Sequence, residues 1–307
     1  VTAYREARLP EESKRVRVEM EEKIEASHTQ MQTHTFEIPI SSEDMEQFLG
    51  SVVTQDIGST FARIASKFLH RRERLEEEVR THMESSPLMA MISQTIMSEN
   101  HVAATVGSVE DDPFGRVIRQ AVQTISFDDM WLLAALNRAI EVHSLTPHHF
   151  IGWTARTGLY DDLMLLMEGV TAWFQGDFVK AIHVLIPQVE MGLRKIVEKL
   201  GRPITKAHPK IRGASVVINM GDILYMKEVT DVLGKDITLH LLTLYADPRG
   251  FNLRNEMAHG LMSSNQMDAA HAARIIHTLL LMGVWDQLAV ARKVKAKTEQ
   301  PPSASAT

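Results

Sequence analysis

The stretch Asp247-Pro248-Arg249-Gly250-Phe251-Asn252-Leu253-Arg254-Asn255-Glu256-Met257-Ala258-His259-Gly260 places two arginines, two asparagines and a histidine between a turn and a glycine. A histidine, which titrates near neutrality, can move protons. A guanidinium, planar and permanently charged, can hold a phosphate or a carboxylate through paired hydrogen bonds. An asparagine beside them can orient either group. These types suit acid–base work on a phosphate ester. They equally suit a structural part, in which Arg254 pairs with a carboxylate such as Glu190 and His259 caps its helix.

Spacing alone does not choose between these readings. An arginine followed five to seven positions later by a histidine occurs at Arg63/His70, Arg138/His143, Arg202/His208 and Arg254/His259. Context separates the last pair. Asn255 directly follows Arg254, whereas Ala139 follows Arg138, and Gly260 closes the segment. Asp247-Pro248-Arg249-Gly250, with proline and glycine at turn-type positions, opens it. On a single helix, at about 100° per residue, Arg254 and His259 sit about 140° apart. They therefore converge only by side-chain reach or at the helix end near Gly260.

The element best placed to support this stretch is a helix expected to start at an Asp177 cap and end at Gly201-Arg202-Pro203. Ile182, Leu185, Val189, Gly192 and Ile196 form its apolar seam. His183, Pro187, Glu190 and Arg194 fall at i, i+4, i+7 and i+11, on a narrow arc beside that seam. Such a line is either a row of satisfied structural groups or the wall of a cleft. Pro187 is expected to kink the helix and free a carbonyl.

The composition fits a helical setting. Methionine is frequent (17) and aromatics scarce (6%), which favours helices packed on helices, and 44% hydrophobic residues can fill a core. With no cysteine, disulfides, thiol chemistry and cysteine metal sites are excluded, which suits the cytoplasm. The opening residues are polar, so no leader is expected within them, and no apolar run is long enough to span a membrane. Overall charge is −6, but residues 178–295 hold 16 Lys+Arg against 10 Asp+Glu, while the remainder holds 17 against 29. The segment with the motif is the one a phosphate backbone would prefer.

Taken in order, residues 1–40 are charge-dense and read as a solvated helix, or one that orders on a partner protein, followed by an extended Phe36–Ile40. Residues 41–170 read as a helical N-terminal region: a Ser41 or Ser42 cap, apolar helical spacing to Leu69, a charged helix to Arg80, and helices near 114–125 and 128–143, the latter capped by Asp128 or Asp129. His143, His148 and His149 lack a carboxylate at ligand spacing, so neither a metal nor any other cofactor is expected. Residues 171–292 form the second helical unit. Within it, 204–213 reads as a loop, and 215–225 as a helix, or as a strand at Val216–Ile218. Ser264 or Asn265 caps the last long helix. Residues 293–307 read as a disordered tail.

The segment Leu253–Gly260 resembles the Arg-polar-xxx-His signature of the HEPN superfamily of all-helical domains. The blocks His183–Glu190 with Arg194, Gly234-Lys235-Asp236 and Asp247–Gly250 are similar, in that order, to an HEPN-like C-terminal domain. The resemblance covers about 170 to 290. It implies an all-α fold and a metal-independent endoribonuclease that acts on RNA as a homodimer, in a defence or toxin system, with Arg and His from two subunits meeting in one cleft. Carried onto this sequence, His259 is the acid/base, Arg254 the phosphate clamp and Asn255 an orienting group. His183, Glu190, Arg194, Asn252 and Arg249 line or brace the cleft. A non-catalytic module that binds RNA, nucleotides or proteins is the alternative.

Overall fold

The structure is a computed structural model and describes residues 4, 7–28, 40–98, 101–285 and 287. The extended Phe36–Pro39 segment and the 293–307 tail lie outside these residues. Helices dominate, and the strands form two small antiparallel hairpins, so the chain is all-α. The first helix, α1 (Pro10–His28), touches the first hairpin, β1 (Gln94–Ser98) with β2 (His101–Val106). Between them run α2 (Ser42–Val52), α3 (Ile57–Lys67), α4 (Arg72–Ser85) and the short α5 (Pro87–Met91). Ser41 caps α2 by accepting the N–H of Asp44 at 3.0 Å, as its type and position predict.

The two helices expected between 114 and 143 are one, α6 (Pro113–His143). Asp112 caps it by accepting from Gly115 N at 2.9 Å. Asp128 and Asp129, read as caps from sequence, serve tertiary contacts instead: Asp128 meets His70 at 2.8 Å, and Asp129 holds Arg274 through Nε at 2.8 Å. Tertiary pairing gave these residues a use inside a helix, so their capping preference did not end it. His143, His148 and His149 do not gather. His143 meets Thr60 Oγ1 at 3.2 Å, His149 closes a capping box with Thr146, and His148 is exposed.

Next come α7 (Pro147–Ala155), α8 (Met164–Phe174) and α9 (Phe178–Lys199), the last capped by Asp177 on Lys180 N at 3.0 Å. The predicted seam of α9 is the core: Ile182, Leu185, Val189 and Ile196 are all buried, and α9 packs on α8 and on α13 (Ala269–Met282). Pro187 lies on the exposed side and α9 continues through it as one helix. Losing one N–H there is tolerable because water can reach the carbonyl of exposed His183. One hydrophobic cluster runs from Leu49 to Val284 and includes residues on both sides of 170.

After α9, residues 205–217 form the second hairpin, β3 (Thr205–Ala207) with β4 (Ser215–Val217), where the sequence suggested a loop followed by either a helix or a strand. Then follow α10 (Met220–Leu224), α11 (Lys227–Leu241), a π-helical turn Leu242–Ala246, and α12 (Leu253–Ala258). The last long helix, α13, is capped by Asp268, which accepts from His271 N at 2.9 Å, and not by Ser264 or Asn265. Those two sit in a short 3₁₀ turn, Ser264–Gln266. No helix among the described residues is long and apolar enough to cross a membrane.

Candidate functional site

The motif occupies a turn, a single short helix and a helix end, and each boundary has a physical cause. The Asp247–Gly250 turn packs so closely on the π-helical turn that a Cβ at Gly250 would lie 2.2 Å from Thr243 O. Phe251 N then donates to that same carbonyl at 2.7 Å. Asn252 takes the left-handed conformation (φ 52°), which asparagine tolerates better than most residues. From there its carbonyl accepts the N–H groups of Asn255 and Glu256, both at 3.0 Å, and starts α12. The end of α12 is a Schellman motif: Gly260 N donates to Met257 O at 3.1 Å and Leu261 N to Glu256 O at 2.8 Å. Gly260 adopts φ 67° there, and His259, the residue before it, is exposed.

Arg254 faces α9. Its Nε donates to Glu190 Oε2 at 2.9 Å and its Nη1 to Asn255 Oδ1 at 3.2 Å. Glu190 has only 6% of its side chain exposed, and its other oxygen takes Arg194. Arg194 Nε in turn donates to Ile218 O at 3.1 Å, which ties the end of the second hairpin to α9. Asn255 Nδ2 donates to Asn252 Oδ1 at 2.8 Å, and Asn252 Nδ2 to Glu256 Oε1 at 3.2 Å. Glu190, Arg194, Arg254, Asn255, Asn252 and Glu256 are thus one hydrogen-bonded cluster. The remaining N–H groups of the Arg254 fork have no protein partner among the described residues.

Arg254 and Asn255 line an open cleft of about 460 Å³ whose other walls include Asn219, Asp222 and Tyr225. Asn219 caps α10 by accepting from Asp222 N at 2.8 Å. Burial pushes the Asp222 carboxyl up, but Lys206, at 2.6 and 2.7 Å, and the Asn219 N–H hold it below the ordinary carboxylate range. Burial, and then the charge of Asp247, push the Tyr225 hydroxyl up. His259 is not part of this cleft wall, and its side chain makes no hydrogen bond or ion pair among the described residues. Arg254 thus lines this cleft and His259 does not.

Two other sequence candidates lie apart from the cluster. His183 is exposed, and its Nδ1 bonds Val179 O of its own helix at 2.8 Å. Arg249 is a strut. Its Nε and Nη2 donate to the two oxygens of fully buried Asp247 at 2.9 and 2.6 Å, and its Nη1 reaches the α6 cap Asp112 at 2.7 Å. The Asp247 bonds, outweighing burial, raise the Arg249 pKa above its already high value. Sequence reasoning passed over Asn219, Asp222 and Tyr225 as site residues. Asn219 followed three positions later by Asp222 is a capping pattern that marks where α10 begins, and hence where its exposed end sits.

Among the described residues, no three His, Asp or Glu side chains gather as metal ligands would. Compared with models of protein families, with curated proteins and with solved structures, the chain matches none. The likeness to HEPN domains therefore rests on the motif residues.

Proposed function

We propose that the site around Arg254 and His259 is a metal-independent endoribonuclease of HEPN type, completed when two copies of the chain associate. One observation carries this reading. Arg254 is fixed from the core side by buried Glu190 while the rest of its fork borders an open cleft, and His259, at the end of the same short helix, is exposed and uncommitted. An anchored guanidinium is preorganised to hold a phosphate. An exposed imidazole can serve as a general acid or base.

In the proposed reaction the RNA 2′-hydroxyl loses its proton to one imidazole and attacks the adjacent phosphorus. The bond to the 5′-oxygen breaks, and that oxygen takes a proton from the imidazolium of the second copy. The products are a 2′,3′-cyclic phosphate and a 5′-hydroxyl. Arg254 balances the charge that gathers on the phosphate oxygens, and Asn255 fixes the guanidinium plane. Because His259 does not line the Arg254 cleft of its own chain, this reading has the second copy supply the missing group.

His259→Ala is expected to lower cleavage of single-stranded RNA by about 10²–10⁴-fold with the melting temperature unchanged, and EDTA to leave wild-type cleavage intact. Mixing wild type with excess His259→Ala is expected to lower wild-type cleavage, because a mixed dimer holds one imidazole where the proposed reaction uses two. Cleavage undiminished by His259→Ala removes this mechanism. A second reading, an RNA-binding module without cleavage, is favoured by the carboxylate that Arg254 already holds at Glu190. It predicts gel-shifted RNA with no product at any time.

A further inference from the structure

A cleft of about 260 Å³ lies between α4, α5 and α6. Arg116 and Arg119, three residues apart on one side of α6, both line it. His82 and Gln123 are exposed on its walls, and exposed Met89 with half-buried Met83 gives it an apolar part. Among the described residues no Asp or Glu lines it. Glu78, which Gln120 of the cleft wall bonds at 3.1 Å, is already paired with Arg74 at 2.9 Å.

Neither arginine of the cleft has a carboxylate partner among the described residues. Arg116 is 8% exposed and donates only to carbonyls, those of Gly107, at 2.9 Å, and Ile92, at the two ends of the first hairpin. Those bonds hold the hairpin on α6 but leave the charge uncompensated, and a buried charge is ordinarily paired. Arg119 is half-buried and donates through Nη1 alone, to Arg249 O at 3.2 Å. Its Nε and Nη2 form the edge of the fork that grips two oxygens at once. Arg249 and Arg274 use that edge on Asp247 and Asp129. In Arg119 it has no protein partner among the described residues. Burial, with no carboxylate to oppose it, draws the Arg119 pKa below its ordinary value, so an anion beside it would be favoured.

We propose that this cleft binds a small organic oxyanion, a phosphomonoester or a carboxylate on a short apolar body. Two of its oxygens take the Nε–Nη2 edge of Arg119, Arg116 adds a second positive charge from the same side of α6, and the body rests on Met83 and Met89. Arg119 is already tethered at Nη1 by the Arg249 carbonyl, so it loses little freedom on binding. The ligand is small because the cleft has little more than half the volume of the one beside Arg254, 260 against 460 Å³. This site does not depend on the part played by Arg254 or His259.

The test is calorimetric titration of the full chain, at fixed ionic strength, with phenyl phosphate, benzoate, inorganic phosphate and phenol. Arg119→Lys keeps the charge and loses the fork. His82→Glu, at an exposed position, puts a carboxylate on the cleft wall and leaves Arg119 and its bond to Arg249 in place. Both variants are expected to melt near wild type, and His82→Glu carries the test alone should Arg119→Lys misfold. Wild type is expected to bind phenyl phosphate or benzoate with a dissociation constant below about 1 mM, inorganic phosphate more weakly and phenol not measurably. Each variant is expected to lose about tenfold or more in affinity for the anion bound. Phenyl phosphate bound in preference to benzoate makes the ligand a phosphomonoester, and the reverse preference makes it a carboxylate. No saturable binding of either anion by wild type overturns the proposal. So does full retention of binding by a folded variant, or phenol bound as tightly as phenyl phosphate.

Discussion

Glu190→Gln tests whether Arg254 is held from the core. The carboxylate accepts Arg254 Nε at 2.9 Å and also takes Arg194, with 6% of its own side chain exposed. Removing one partner of a fully buried pair costs about 3–5 kcal/mol. Both arginine side chains here are 26% exposed, so water compensates part of the stranded charge and the cost falls to the low end of that range. Glutamine keeps the shape but only one acceptor, so one charge-assisted bond of about 1.5–3 kcal/mol becomes a neutral one of about 0.5–1.5 kcal/mol and the other is lost. The expected loss is about 3 kcal/mol. At about 2.1 cal/mol/K of unfolding entropy per residue, a chain of 307 residues then melts about 5 °C lower. Thermal unfolding read by circular dichroism, repeated with Arg254→Met and with the double variant, is the assay. Arg254→Met is expected to cost about 1 kcal/mol less once Glu190 is glutamine. An unshifted Glu190→Gln melt, or equal costs for Arg254→Met in both backgrounds, would refute the anchoring.

Two further perturbations probe the frame. Gly250→Ala puts a Cβ 2.2 Å from Thr243 O, and backbone must move, so a loss of about 2–3 kcal/mol is expected in a denaturant midpoint; a wild-type midpoint would contradict the close approach. His277 is fully buried beside His240, with its Nε2 3.1 Å from Ala65 O, and burial holds its pKa down at about 4. The folded ring stays neutral while the unfolded ring takes a proton below about pH 6.5. Stability is therefore complete above that pH and falls as the pH drops toward about 4, by about 3 kcal/mol for this residue. His277→Gln should flatten the slope of melting temperature between pH 7 and 5, with His240, also held neutral by burial, keeping a residual slope; parallel curves would refute the assignment.

Much of the frame was legible because it is written in local patterns. The apolar seam of α9, the Asp177 and Ser41 caps and the Gly260 helix end each depend on residues within a turn of one another. What sequence hid was tertiary. Asp128 and Asp129 have the types of a helix cap, and only His70 and Arg274, far along the chain, show why the helix continues past them. Arg249 has the charge of a phosphate binder, yet its partners are Asp247, two residues away, and Asp112, on another helix. The short hairpin of β3 and β4 carries no alternation that could announce it, since its outer strand is only Thr205-Lys206-Ala207.

The charge count in the cluster bears on which of its two readings the residues favour. Had Glu190 paired with Arg254 alone, the pair would be neutral, and an incoming phosphate would have to displace the carboxylate. Instead Glu190 is shared with Arg194, so three side chains carry a surplus of one positive charge. Glu256, which accepts from Asn252, is the other carboxylate bonded into the cluster, and Asp222, on the cleft wall, is occupied by Lys206. The buried carboxylate thus holds two guanidiniums without cancelling both. On the proposed reading, the N–H groups of Arg254 left without a protein partner are the ones an incoming phosphate would take.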